Sequence, residues 1–284
     1  MQNLGPIGLF DSGYGGLTVL KAIRERLPAY DYLYLGDNAR VPYGTRSYET
    51  VYQFSWECIQ ALFAQDCQLV IVACNTASAK ALRTIQQINL PKSAPNRRVL
   101  GVIRPTTEDA HLFTRNNHLG ILGTNGTIQS NSYPIEINKF HPQIKVSQQA
   151  CPMWVPLVEQ NEHLNQGADY FIKKYLDALL NQDPLIDGIL LGCTHYPLLL
   201  PKLKEAVQPN IRFIAQGDLV AEKLAGYLQR HPDMDVKCSK SGTTRFLTTD
   251  DPFQFESMAK LFYGKELIAE HIDLHEVHFE RDAD

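Results

Sequence analysis

Nowhere in the 284 residues is there a run of about 18 apolar side chains, which excludes a membrane-spanning helix as an organising element. Met1-Gln2-Asn3-Leu4-Gly5-Pro6 lacks the basic and apolar regions of a secretory signal, so a cytoplasmic location with no membrane partner is expected. Thiols stay reduced in that compartment. The six cysteines, at 58, 67, 74, 151, 193 and 238, show no paired Cys-x-x-Cys spacing, and no metal site is expected. A basic excess is also missing. The 27 Lys and Arg are outnumbered by 31 Asp and Glu, for a formal charge of −4, which argues against a nucleic-acid partner and leaves small-molecule chemistry. Gly13-Tyr14-Gly15-Gly16 fails both nucleotide-loop templates: no Gly-Lys-Ser/Thr follows, and Gly-x-Gly-x-x-Gly is not completed. These glycines read instead as a tight turn, or as room for the backbone to approach a small ligand.

What is present is an apolar fraction of 44%, enough for two cores in a chain longer than one core usually serves. Strand-like runs alternate with helix-period segments: Ile7 to Phe10, then Leu20, Ile23 and Leu27 at helical spacing, then Tyr32 to Leu35. The alternation continues through Leu69 to Ala73, Val99 to Ile103, Leu119 to Gly123, Ile189 to Leu191 and Ile211 to Ala215. Repeated βα units predict an α/β fold of mostly parallel sheets flanked by helices. Pro91, Lys92, Ser93, Pro95 and Asn96 read as a linker within Asn89 to Arg98. The tail from about Thr243 reads as ordered, with a strand-like run, a helix from Pro252 to Phe262 and an alternating Ile272-Asp273-Leu274.

Ligands of such sheets bind beyond the carboxyl ends of strands, and small polar groups gather there: Asp11-Ser12-Gly13, Asp37-Asn38-Ala39, Cys74-Asn75-Thr76, Gly123-Thr124-Asn125-Gly126-Thr127 and Cys193-Thr194-His195. Helices beginning at these points favour an anion, and a carboxylate ligand fits. The spacing is weakly duplicated, since Asp11 to Thr124 and Cys74 to Cys193 span 113 and 119 residues. Buried cysteine is usually a small hydrophobe. Cys58 and Cys67 read that way, Cys238 as incidental and Cys151 as structural. Cys74 and Cys193 differ, because each ends an apolar strand among hydroxyls and amides, where a helix N-terminus is expected to lower a thiol pKa from about 8.5. Two thiols facing one site from opposite sides suit a reaction that needs a base on each face of a carbon. Asp11 reads either as a helix N-cap or as a partner orienting Cys74. His195 reads as a bystander or as a proton relay for Cys193. Val41-Pro42-Tyr43-Gly44 reads as a rigid loop whose backbone and phenol line a pocket.

Five strings together are specific: Phe10-Asp11-Ser12-Gly13-Tyr14-Gly15-Gly16-Leu17-Thr18-Val19, Gly36-Asp37-Asn38-Ala39-Arg40-Val41-Pro42-Tyr43-Gly44, Ala73-Cys74-Asn75-Thr76-Ala77-Ser78, Cys151-Pro152-Met153-Trp154-Val155-Pro156-Leu157-Val158-Glu159 and Leu191-Gly192-Cys193-Thr194-His195-Tyr196-Pro197-Leu198. In identity and order they resemble the signatures of bacterial glutamate racemases, within the aspartate/glutamate racemase family. The resemblance implies cofactor-independent interconversion of L- and D-glutamate, supplying D-glutamate for peptidoglycan. It implies that Cys74 acts on D-glutamate with help from Asp11, and Cys193 on L-glutamate with help from Glu159 and His195. Substrate contacts carried over with it are Asp11, Ser12, Pro42, Tyr43, Gly44, Asn75, Thr76, Thr124, Thr127, Thr194 and His195. The implied fold has two pseudo-symmetric lobes with the active site in the cleft between them, taken here as 1–98 with 213–284, and 99–212. A homodimer is expected.

One departure stands out. Gly101-Val102-Ile103-Arg104-Pro105-Thr106 carries Arg104 where such proteins more often have Glu, reversing a charge near the lobe boundary. A racemase of aspartate or a related acidic amino acid is the nearest alternative, although those relatives tend to carry Glu where this chain has His195. A cysteine hydrolase with a Cys193–His195 dyad leaves Cys74 idle, and a partner-binding protein on a dead racemase fold leaves every filled catalytic position unexplained.

Overall fold

The computed structural model of the chain describes residues 4–277 and 279. Its strands are β1 (Ile7–Asp11), β2 (Tyr32–Gly36), β3 (Leu69–Val72), β4 (Arg98–Gly101), β5 (His118–Gly123), β6 (Lys145–Ala150), β7 (Gly188–Gly192), β8 (Arg212–Ile214), β9 (Thr244–Thr248) and β10 (Ala269–His271). One sheet runs β10-β9-β2-β1-β3-β4 and the other β6-β5-β7-β8, and all their pairings are parallel. The chain thus has the expected α/β class, two parallel sheets flanked by helices. Among the described residues no helix is long and apolar enough to cross a membrane.

β1, β2, β3 and β7 are buried at every residue. A strand covered by helices on both faces has no solvent side to make polar, so such strands read as unbroken apolar runs. β6 lies at a sheet edge and reads Lys145-Val146-Ser147-Gln148-Gln149-Ala150. It carries no apolar run and was not expected.

The order β2-β1-β3-β4 is repeated strand for strand as β6-β5-β7-β8. Asp11 ends β1 as Gly123 ends β5, and Cys74 follows β3 as Cys193 follows β7. The near-equal spacings in the sequence therefore mark a repeated four-strand unit, extended beyond β2 by β9 and β10.

The chain leaves the longer sheet after β4 and returns after β8, so the boundaries drawn at 98/99 and 212/213 fall inside strands. Asn89 to Arg98 is no linker. Helical residues 85–93 run into a short turn and then into β4, which pairs with β3; Pro91 lies in Leu90–Ser93, which continues directly from the π-helical stretch Ile85–Asn89, and Pro95 lies in the turn beyond it. Near the end, the helix spans Pro252–Tyr263, and the last strand, β10, precedes Ile272-Asp273-Leu274. Ile272 and Leu274 pack against the core instead. The two sheets meet through helices Leu17–Arg26 and Gly217–Arg230, whose Leu20, Ile23, Val220 and Leu224 belong to one apolar cluster reaching both.

Candidate active site

A sheet of order 2-1-3-4 opens a crevice at the carboxyl ends of its first and third strands, because the following connections depart in opposite directions. Both sheets have one. Asp11 and Cys74 flank the first crevice, Thr124 and Cys193 the second.

Cys74 caps the helix Asn75–Lys80, its Sγ accepting from the Ala77 N–H at 3.4 Å. The expected lowering of its pKa does not occur. Burial, first, and the charge of Asp11, second, push the thiol up to about 12 against the Ser12 hydroxyl and the Ala77 N–H. One long N–H···S contact does not replace the water lost on burial. A charge on Cys193 would raise Cys74 further.

Asp11 is wholly buried. Gly13 N–H donates to its Oδ2 at 3.0 Å, while Oδ1 has no partner among the described residues. It is not a helix cap; the helix Leu17–Arg26 starts after Gly16. Burial raises its carboxyl, opposed by the charge of His195 and by the Gly13 and Gly16 N–H groups.

On the other side Cys193 Sγ lies 3.9 Å from His195 Nδ1, and His195 Nε2 lies 2.9 Å from Glu159 Oε1. Burial disfavours the imidazolium, but the bonds to Cys193 and Glu159 prevail and raise His195 to about 10. Trp154 packs edge-on to Tyr196 at 4.9 Å, and the Tyr196 hydroxyl donates to the Cys151 carbonyl at 3.1 Å. These contacts fasten the helix ending in Glu159 to the loop carrying His195. Phe262, from the helix Pro252–Tyr263, stands edge-on to His195 at 5.0 Å.

Hydroxyls from both sheets converge. Thr76 Oγ1 lies 2.9 Å from Thr124 Oγ1 and 3.5 Å from Thr127 Oγ1, and the latter two are 3.1 Å apart. Beside them Gly126 N–H donates to the Gly44 carbonyl at 2.8 Å. Pro42, preceded by a cis peptide, and Tyr43 shape this loop. The phenol expected to line a pocket is committed elsewhere: it donates to Asp37, which also holds Arg40 at 2.8 Å. The loop's backbone is what remains for a ligand.

The room in Gly13-Tyr14-Gly15-Gly16 has a different occupant from the one expected. A Cβ on Gly15 would come within 2.1 Å of Thr194 Oγ1 and 2.5 Å of His195 Nδ1. Nearby, Thr18 Oγ1 donates to the Thr194 carbonyl at 3.2 Å. Gly15 thus lets the far loop close in. Sequence reasoning also missed Gln216 and Tyr133, which hold the Asn75 side chain.

Of the other thiols, Cys151 and Cys67 are packed as expected, and Cys238 is buried too. Cys58 differs, since Arg40 donates to its sulfur at 3.4 Å. Arg104 is exposed, pairs with Glu108 at 3.4 Å and lies over the Phe140 ring. Among the described residues no group of three or more His, Cys, Asp and Glu side chains is arranged to hold a metal.

Residues 7–224 match the family model described as Asp/Glu/hydantoin racemase. The chain is 39% identical to a glutamate racemase of Geobacter metallireducens, over 92% of this chain and 93% of that protein. Among solved structures it is similar to a glutamate racemase isoform of Bacillus anthracis, with a TM-score of 0.86 and 34% identity over 95% and 98% of the two chains. A glutamate racemase of Francisella tularensis in complex with D-glutamate gives 0.85 and 32% over 98% and 100%.

Proposed function

Because this chain belongs to the Asp/Glu/hydantoin racemase family, we propose that it interconverts L- and D-glutamate by a two-base reaction that needs no cofactor. A thiolate on one face takes the α-proton and becomes a thiol. The thiol on the other face gives its proton to the planar carbanion and becomes a thiolate. The configuration inverts, and the two sulfurs exchange protonation states. Cys74 acts on D-glutamate and Cys193 on L-glutamate.

One observation supports this reading: the two thiols sit at equivalent strand ends beside different ionisable neighbours, Asp11 acting on Cys74 through its charge and His195 lying against Cys193. Asp11, its carboxyl raised by burial, exchanges a proton with Cys74. His195, its pKa raised by the contacts with Cys193 and Glu159, is the proton partner of Cys193. The unpaired Asp11 Oδ1, with Ser12, suits the substrate ammonium. The carboxylates suit the backbone N–H groups of Tyr43 and Gly44 in the loop that Pro42 shapes, the Asn75 amide and the hydroxyls of Thr76, Thr124, Thr127 and Thr194. The α-carbon is a weak acid, so closure of the lobes about the crossings after β4 and β8, with exclusion of water, is needed to strengthen these contacts. The product serves peptidoglycan synthesis and cell shape, in the cytoplasm, from a homodimer.

The test is chiral analysis of product from L-glutamate and L-aspartate in deuterated water, with Cys74→Ser and Cys193→Ser alongside. D-glutamate carrying solvent deuterium is expected, with racemisation abolished in both variants. Turnover of aspartate but not glutamate overturns the substrate; full activity in either variant overturns the two-base mechanism.

A further inference from the structure

Gln216 follows β8 as Val102 follows β4, so the two points where the chain changes sheets occupy equivalent positions. They are joined through a buried side chain. Gln216 Nε2 lies 3.2 Å from the Val102 carbonyl, 3.0 Å from Thr106 Oγ1 and 2.8 Å from Tyr133 Oη. Its Oε1 accepts from Asn75 Nδ2 at 2.8 Å, and the Tyr133 hydroxyl donates to Asn75 Oδ1 at 2.5 Å.

The chemistry of these groups allows one arrangement. A backbone carbonyl only accepts, so the end of the Gln216 amide facing Val102 is the NH2 and the other end is the oxygen. Facing that oxygen, Asn75 must present its nitrogen, which turns Oδ1 toward Tyr133. The Tyr133 hydroxyl accepts from Gln216 and has one proton to give, and it gives that to Asn75. A reversed Asn75 would set oxygen against oxygen at Gln216 in a buried site, where such a mismatch is costly. One N–H of Asn75 is then spent on Gln216, and the second has no assigned acceptor among the described residues.

We propose that Gln216 and Tyr133 are a positioning pair that fixes the Asn75 carboxamide so that its second N–H is presented to a substrate carboxylate. This rests on the reading of Asn75 as a substrate contact. Because the fixed point is a carbonyl on the outward crossing, substrate affinity is tied to how the two crossings sit against each other.

The experiment measures KM and kcat for both glutamate enantiomers in Asn75→Ala, Gln216→Ala and Tyr133→Phe, and in Asn75→Ala combined with each of the others. Asn75→Ala is expected to raise KM by about tenfold or more, the usual effect of losing a bond to a charged group. Gln216→Ala and Tyr133→Phe are expected to raise KM several-fold with kcat within about twofold. On the Asn75→Ala background neither is expected to raise KM further, since nothing is left to position; a general loosening of the fold would add its own factor. An unchanged KM in Gln216→Ala and Tyr133→Phe, or effects that multiply with Asn75→Ala, overturns the proposal. Tyr133→Phe removes a single hydroxyl and keeps the test alive if Gln216→Ala fails to fold. An unchanged KM in Asn75→Ala removes the substrate-contact reading and the proposal with it, whereas the cysteine variants test racemisation separately.

Discussion

Substituting Gly15 by alanine tests whether the catalytic groups are set by the approach of one loop to another. The added methyl lies 2.1 Å from Thr194 Oγ1, where ordinary contact begins near 3.4 Å, so about 1.3 Å of room has to be found. The Thr194 hydroxyl can rotate away. His195 cannot do so freely: its Nδ1 and Cε1 lie 2.5 and 2.7 Å from the new carbon, its far nitrogen is held by Glu159, and Phe262 stands against its ring. Relief therefore comes from parting the loops or from moving His195 off Cys193, already 3.9 Å away. A displacement of about 1 Å among reacting groups costs roughly 100-fold in rate. We expect kcat/KM for L-glutamate to fall by about that factor, followed by chiral chromatography of D-glutamate against time. Thermal unfolding should change little, because Gly15 does not have a left-handed backbone conformation and opening of the loops relieves the clash. Gly226→Ala is the control. Its Cβ would meet only the flexible end of Arg230, at 3.0 Å, so it should keep full activity and gain about 0.5–1 kcal/mol of helix stability. A Gly15→Ala enzyme within about threefold of its parent would refute the argument.

His195 carries a pH signature. Its folded-state pKa is raised from 6.5 to about 10, so its contribution to stability is complete below pH 6.5 and is lost as pH rises through 10. Urea unfolding of the parent and His195→Gln should therefore differ most at the low end of that window and converge at the high end, and a gap that widens with pH would contradict it. Tyr43→Phe should cost roughly 1–3 kcal/mol by removing a bond to the Asp37 carboxylate, seen as a lower urea midpoint, while KM for glutamate stays the same. A raised KM at unchanged stability would mean that the phenol binds substrate after all.

What was legible in the sequence follows from burial. β1, β2, β3, β5 and β7 lie inside their sheets, and their apolar runs announce them. β6 needs no second covered face, and its Ser147, Gln148 and Gln149 conceal it. Pro91, Lys92, Ser93, Pro95 and Asn96 read as a linker because composition does not show that a π-helical stretch, Ile85–Asn89, carries the helix on through Pro91, leaving only Pro95 and Asn96 in the turn. The motif residues flanking the crevices were readable one by one. Their electrostatics were not, because the pKa of Cys74 depends on its burial in the folded protein and on the nearby charge of Asp11. Gln216 and Tyr133 were invisible for a related reason: their partners lie 141 and 58 residues away at Asn75, with no local spacing to mark them.

The addition of β9 and β10 beside β2 bears on how the protein is made. The four-stranded sheet draws on a continuous stretch, residues 118–214, and can close as soon as that stretch has left the ribosome. The six-stranded sheet, begun earlier, cannot. Until residues 244–248 emerge, β2 is an edge strand whose five residues are all destined for burial and whose backbone lacks its second partner. Such an edge invites pairing with another chain. The lobe that starts first finishes last, and Phe262, which braces His195, arrives later still.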